Sequence, residues 1–163
     1  MILQYFKNKE NKEQIIAKDQ YNKILLEGKN FLNDNNFFKN KDYKTSFEIV
    51  SIFLIMFIRK NLLEKDRMKY QKINDELISL FISDLDESLR QKGIGDMSIG
   101  KYVKSYVKKF YFRLKKFPED FNLYKNESFE EYLKVMDLIK NDDYANVSRK
   151  FNDKFADFIK FKN

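Results

Sequence analysis

Apolar positions recur along most of the chain with helical spacing. Over residues 14–32, Ile15, Ile16, Tyr21, Ile24, Leu25, Gly28 and Leu32 fall on one face of a helix. Residues 33–42 are rich in Asn, Asp and Lys and read as a loop, in which Phe37 and Phe38 need an apolar home. Residues 45–63 are apolar nearly all round, which predicts a central, enclosed helix. A third helix over 66–92 carries Leu77, Leu80, Phe81 and Leu85, and a fourth over 98–117 carries Ile99, Val103, Tyr106, Val107, Phe110, Leu114 and Phe117. Pro118 marks a boundary, and Ser128-Phe-Glu-Glu131 reads as a capping box opening a helix to about Lys140. After a turn at Asn141-Asp-Asp, Val147, Phe151, Phe155, Phe158 and Ile159 give the last helix its stripe. No strand alternation, internal repeat or linker competes with this pattern. It predicts an all-α fold: a single compact bundle of about six helices in one domain, 1–163, with residues 1–13 as a loosely ordered N-terminus.

Composition agrees with a folded helical domain and removes several chemistries. Of 163 residues, 43% are hydrophobic and 35% charged, a balance unlike that of disordered chains. Seventeen Phe and ten Tyr, with no Trp, make the core aromatic. The chain has no Cys and no His, so disulfides, thiol chemistry, Cys/His zinc sites and His-dependent triads are excluded. No acid/base pair stands out, and the expectation is a protein that is not an enzyme and uses no cofactor or metal. The most apolar run, 49–58, is ten residues long, against about 20 needed to span a bilayer, and reads as a core helix. Residues 1–6 are too short for a signal-peptide core, and Glu10, Glu13 and Asp19 without a nearby Arg argue against a mitochondrial presequence.

The formal net charge is +7, and its source is local. Between Met97 and Pro118 lie Lys101, Lys104, Lys108, Lys109, Arg113, Lys115 and Lys116, with no acid. Lys101, Lys104, Lys108 and Lys115 share a narrow arc opposite the apolar stripe. Such a face is either an ordinary solvated surface or an attachment site for an anionic surface, lipid headgroups or ribosomal RNA being the candidates. On the third helix Asp84 projects into the apolar face, whereas Asp86 and Arg90 point away from it and pair at i, i+4. A carboxylate on a core-facing stripe needs a partner. Arg113, at the edge of the next helix's stripe, is placed to supply it, so Asp84 and Arg113 are expected to form a buried structural pair. A contact between Asp84 and a partner chain is the alternative.

The turn between these helices holds three of the four glycines, Gly93, Gly95 and Gly100. Gly93 suits the left-handed residue that ends a helix, and Asp96 or Ser98 suits the cap of the next. Gly95-Asp-Met-Ser-Ile-Gly100-Lys101 has the spacing of a nucleotide P-loop, but it follows a helix, Tyr102 replaces the Mg²⁺-binding Ser or Thr, and Asp96 would repel phosphate.

The same stretch resembles the ubiquinol–cytochrome c chaperone family. The resemblance is carried in order by Asp84-Leu85-Asp86, Leu89-Arg90-Gln91, Gly93-Ile94-Gly95-Asp96, Ile99-Gly100-Lys101 and Phe110-Tyr111-Phe112-Arg113. A weaker likeness extends upstream through residues 47–59 toward Tyr21. The chain departs from the family pattern at Thr45-Ser46-Phe47, where the family has Gly-Arg-Phe, and at Phe53, where it has a histidine. The resemblance implies an assembly chaperone for ubiquinol–cytochrome c reductase that binds newly made cytochrome b, near the ribosome or membrane and alongside a small partner subunit. It implies a bacterial cytoplasmic protein peripheral to the inner membrane, or one on the matrix side if mitochondrial. Within that reading the partner-binding residues are Asp86, Arg90, Gly93, Ile94, Gly95, Asp96, Met97 and Gly100, although a purely structural turn would use many of the same residues. The rival reading is a helical nucleic-acid-binding protein using the basic helix. Lysines, which are point charges with little capacity to read bases, fit it poorly.

Overall fold

A computed structural model describes residues 11–34, 36–121 and 126–160. Among them lie six α-helices: α1 (Lys12–Asp34), α2 (Tyr43–Leu62), α3 (Arg67–Gln91), α4 (Asp96–Lys116), α5 (Glu127–Lys134) and α6 (Tyr144–Lys160). The all-helical bundle expected from the periodicity is present. Residues 1–10 lie outside the described part, and α1 already begins at Lys12, so only the first ten residues of the expected loose segment 1–13 stay open.

α2 is the axis of the bundle, touching α1, α3, α4 and α6. Its continuous apolar sequence explains this, because every side of the helix must be covered. Ile52, Phe53, Leu54, Ile55 and Met56 have no exposed surface. Its start is fixed by Asp42, whose carboxylate accepts from the Thr45 N–H and the Thr45 hydroxyl, both at 2.9 Å. Those two bonds hold the Asp42 carboxyl below its ordinary pKa. α1 crosses α2 closely at Gly28, where a Cβ would meet Val50 Cγ2 at 3.3 Å. A buried amide cluster joins the first three helices: Asn61 donates to Gln20 at 2.9 Å and to Asn74 at 2.7 Å.

The aromatic side chains do fill the core. Phe31 stacks on Phe151 at 4.2 Å between ring centroids, and Phe53 packs against Phe31, Phe151 and Phe158 at 5.6, 5.6 and 6.0 Å. α6 is thus locked onto α1 and α2 by rings. Phe38 finds its apolar home, buried beside Phe31, and the loop holding it is stapled to a distant strand-like segment. The Lys39 N–H donates to the Leu138 carbonyl at 2.8 Å and the Lys140 N–H to the Phe37 carbonyl at 2.7 Å.

The C-terminal third departs from the reading at one helix. α5 ends at Lys134 rather than near Lys140. Asp137, Asn141 and Asp142 adopt left-handed φ values of 52°, 54° and 54°, conformations that short polar Asn and Asp tolerate and that end a helix. The capping box does not form either. Asn126 is the N-cap without a side-chain bond, and the Ser128 hydroxyl donates instead to Asp120 at 2.5 Å.

Candidate functional site

The glycine turn is built by its own sequence. α3 closes with paired backbone bonds, Gly93 N–H to the Arg90 carbonyl at 2.9 Å and Ile94 N–H to the Leu89 carbonyl at 3.3 Å, and Gly93 sits at φ +89°. This is a Schellman stop, which needs a left-handed residue where glycine stands. Ile94 is half-buried, as the residue after that stop commonly is, whereas Met97 is fully exposed. α4 then starts at Gly95 with no side-chain cap, so neither Asp96 nor Ser98 plays the capping role expected of it. Asp96 instead pairs with Arg90, which also donates to Asp86 at 2.6 Å. The expected Asp86–Arg90 pair therefore forms, and these hydrogen bonds raise the Arg90 pKa further. A Cβ at Gly95 or Gly100 would meet open space. Gly95 is the N-cap of α4 and residues 96–101 are its first turns, preceded by a helix and not by the strand that a phosphate-binding loop follows.

The lysine face is present. Lys101, Lys104, Lys108 and Lys115 are all exposed, and none is in an ion pair with a described residue. Tyr111 and Phe112, half-exposed, flank them on α4.

The expected Asp84–Arg113 pair does not form. Arg113 is buried against Glu48 of α2, with Nε donating to Oε2 at 3.0 Å and Nη2 to Oε1 at 2.9 Å. Lys109, one turn earlier, reaches the same Oε1 at 2.6 Å. Asp84 is only half-buried and accepts from the Tyr21 hydroxyl at 2.8 Å. The reason is geometric: the inner side of α4 meets α2 as well as α3, and the deeper carboxylate captures the guanidinium. Burial, then the Asp84 charge, push the Tyr21 hydroxyl's pKa well up, so it stays a donor. Tyr132 of α5 closes the buried cluster by donating to the Arg113 carbonyl at 3.2 Å. Glu48 was not identified from the sequence as the partner of Arg113 and Lys109, although it is the one charged residue between Lys44 and Arg59 and so breaks an otherwise apolar helix.

Two clefts lie away from the turn. One of about 330 Å³ between α4 and α5 is lined by Phe112, Arg113, Tyr132 and Val135, and one of about 430 Å³ by Ile58, Leu62, Leu63, Leu114 and Phe155. Among the described residues no cluster of three acids fit for a metal ion is found, and no helix is long and apolar enough to cross a membrane.

Among the described residues this is an all-helical protein with an exposed glycine turn and an outward lysine face on α4. The chain belongs to the ubiquinol-cytochrome C chaperone family, whose match spans residues 38–140 and contains the turn, the lysine face and the Glu48–Arg113 pair. The crystal structure of a Cbp3 homolog from Brucella abortus is similar at a TM-score of 0.70 and 20% sequence identity, over 100% of this chain and 91% of that one. At that identity the likeness speaks for the fold. No curated protein sequence matches the chain. Family membership supports a role in assembling a respiratory complex, and a chaperone's work rather than catalysis.

Proposed function

We propose that the protein is an assembly chaperone for ubiquinol–cytochrome c reductase whose client is newly made cytochrome b. One observation carries the reading. Within the family match, the turn at residues 93–97 is built from specific residues, and the fold makes little use of the fully exposed Met97. The contact surface comprises Asp86 and Arg90, which brace the turn, and Gly93, Ile94, Gly95, Asp96, Met97 and Gly100 along it. Ile94 serves both the helix stop and the surface. Lys101, Lys104, Lys108 and Lys115 hold the protein by salt-sensitive attachment to an anionic surface, at the inner membrane or the ribosome, where the client emerges. A small partner subunit shares the task. The test is cytochrome b accumulation in cells carrying Met97→Ser in place of the normal chain, with co-purification and mass spectrometry of what the tagged protein holds. Reduced cytochrome b with an unchanged melting curve supports the reading. Normal accumulation and no cytochrome b among the captured proteins would sink it.

A further inference from the structure

The turn between α2 and α3 exposes side chains that its geometry does not require. Leu62 and Leu63 are each 61% exposed and Met68 is 77% exposed, all within seven residues. The turn is already held by backbone and capping bonds: the Leu63 N–H donates to the Lys60 carbonyl at 3.1 Å, and Asp66 accepts from the Lys69 N–H at 3.1 Å. Polar residues would serve there equally well.

Basic groups surround these apolar side chains. Lys65 and Arg67 are exposed in the turn, with Lys69 half-exposed beside them. The end of α4 lies at the same place, because Arg59 donates to the Phe117 carbonyl at 3.2 Å and Leu114 lines the same cleft as Leu62 and Leu63. That brings in Lys115 and Lys116, both exposed. Lys65, Arg67, Lys115 and Lys116 form no ion pair with a described residue. The acids here are Glu64, Asp66, which caps α3, and Glu119 and Asp120 just past α4, against the bases Arg59, Lys60, Lys65, Arg67, Lys69, Lys115 and Lys116, an excess of three positive charges.

We propose that this end of the bundle is a lipid-docking tip, in which Leu62, Leu63 and Met68 enter the interfacial layer of an anionic bilayer and the surrounding bases meet its headgroups. Aliphatic side chains ringed by cations are what such a boundary accommodates, since the two layers lie within a few ångströms of each other. RNA would satisfy the charges but offers no apolar layer, and its stacking favours aromatic rings. A second copy docked through the same patch would set one net-positive surface against another. The glycine turn lies at the far end of α3, a helix of 25 residues, or about 37 Å at 1.5 Å per residue. The client reading does not enter this inference.

The chain has no Trp, so one introduced at the tip is a single reporter. With the full chain carrying Leu63→Trp, vesicles of phosphatidylglycerol and phosphatidylcholine should shift the emission to the blue, and bromine-labelled lipid should quench it. Vesicles of phosphatidylcholine alone should do neither. In the otherwise natural chain, Leu62→Ser with Met68→Ser should weaken vesicle binding at least tenfold, and Lys65→Glu with Arg67→Glu should weaken it further at low salt and reduce its salt dependence. An unshifted Leu63→Trp emission overturns the proposal, as does a Met97→Trp reporter that shifts in its place. Binding to ribosomal RNA without binding to vesicles, or loss of a dimer in the Leu62→Ser, Met68→Ser protein with vesicle binding intact, also overturns it. Because pure lipid replaces any client, failure here leaves the cytochrome b reading standing, and failure of that reading leaves this one.

Discussion

α4 is used in opposite ways at its two ends. Toward its C-terminus Arg113 is enclosed and bound through two nitrogens to Glu48, which has no exposed surface. At its N-terminus the turn presents a fully exposed Met97 and glycines with open space around them. The first region fixes where α4 sits against α2. The second contributes little to packing, so its residue choices are free to answer to something outside the fold. Specific sequence therefore has two different physical meanings within one helix, and substitutions should separate them.

The largest loss of stability belongs to the buried end. Glu48→Ala leaves Arg113 enclosed without its carboxylate and should cost about 3–5 kcal/mol, the range for breaking one side of a buried pair. Thermal denaturation measures this directly, and an unmoved midpoint would mean that α4 holds its place without the pair. Asp84→Ala should cost less, about 1–2 kcal/mol, because Asp84 is half-solvated and what is lost is the acceptor of one buried hydroxyl, that of Tyr21. A loss as large as that of Glu48→Ala would show Asp84 to be a second anchor. Gly93→Ala is expected to cost about 1 kcal/mol, since a side chain is forced into a left-handed backbone. Stability equal to the natural chain would mean that the helix stop re-forms elsewhere. Met97→Ser closes the series with no measurable change in melting, yet it should lower cytochrome b accumulation. A clear drop in melting temperature would return Met97 to the structural set and erase the contrast between the two ends.

Much of this was legible from the sequence because it is local. The limits of α3, Arg67–Gln91, fall within a residue of the 66–92 read from the sequence, with the glycine after Lys92 as its stop. The Asp86–Arg90 pair follows from helical spacing alone. What escaped was long-range. Arg113 was expected to meet an acid, and it does. Which acid depends on how α4 lies across α2 and α3, and spacing along one helix carries no information about that. Glu48 has a local signal, a single charge inside an apolar helix, but that signal does not say which base answers it. α5 shows the other limit at both ends: a Ser-x-x-Glu pattern names a possible cap, but Asp120 offers the Ser128 hydroxyl a competing partner, and the helix stops at Lys134, before the left-handed Asp137.

The staple between the Phe37–Lys39 loop and the segment after α5 bears on the order in which the chain can be completed. Lys39 also reaches Asp137 by its side chain at 2.5 Å, a contact 98 residues apart in sequence. During synthesis the first four helices can pair and bury Glu48 against Arg113 while that loop has nothing to bind. Phe31 and Phe53 likewise wait for Phe151 and Phe158, rings supplied only by the last helix. Contacts of such separation form late and slowly. A growing chain that has reached α4 would therefore have its ion pair and its glycine turn in place, with an open aromatic face where α6 will lie.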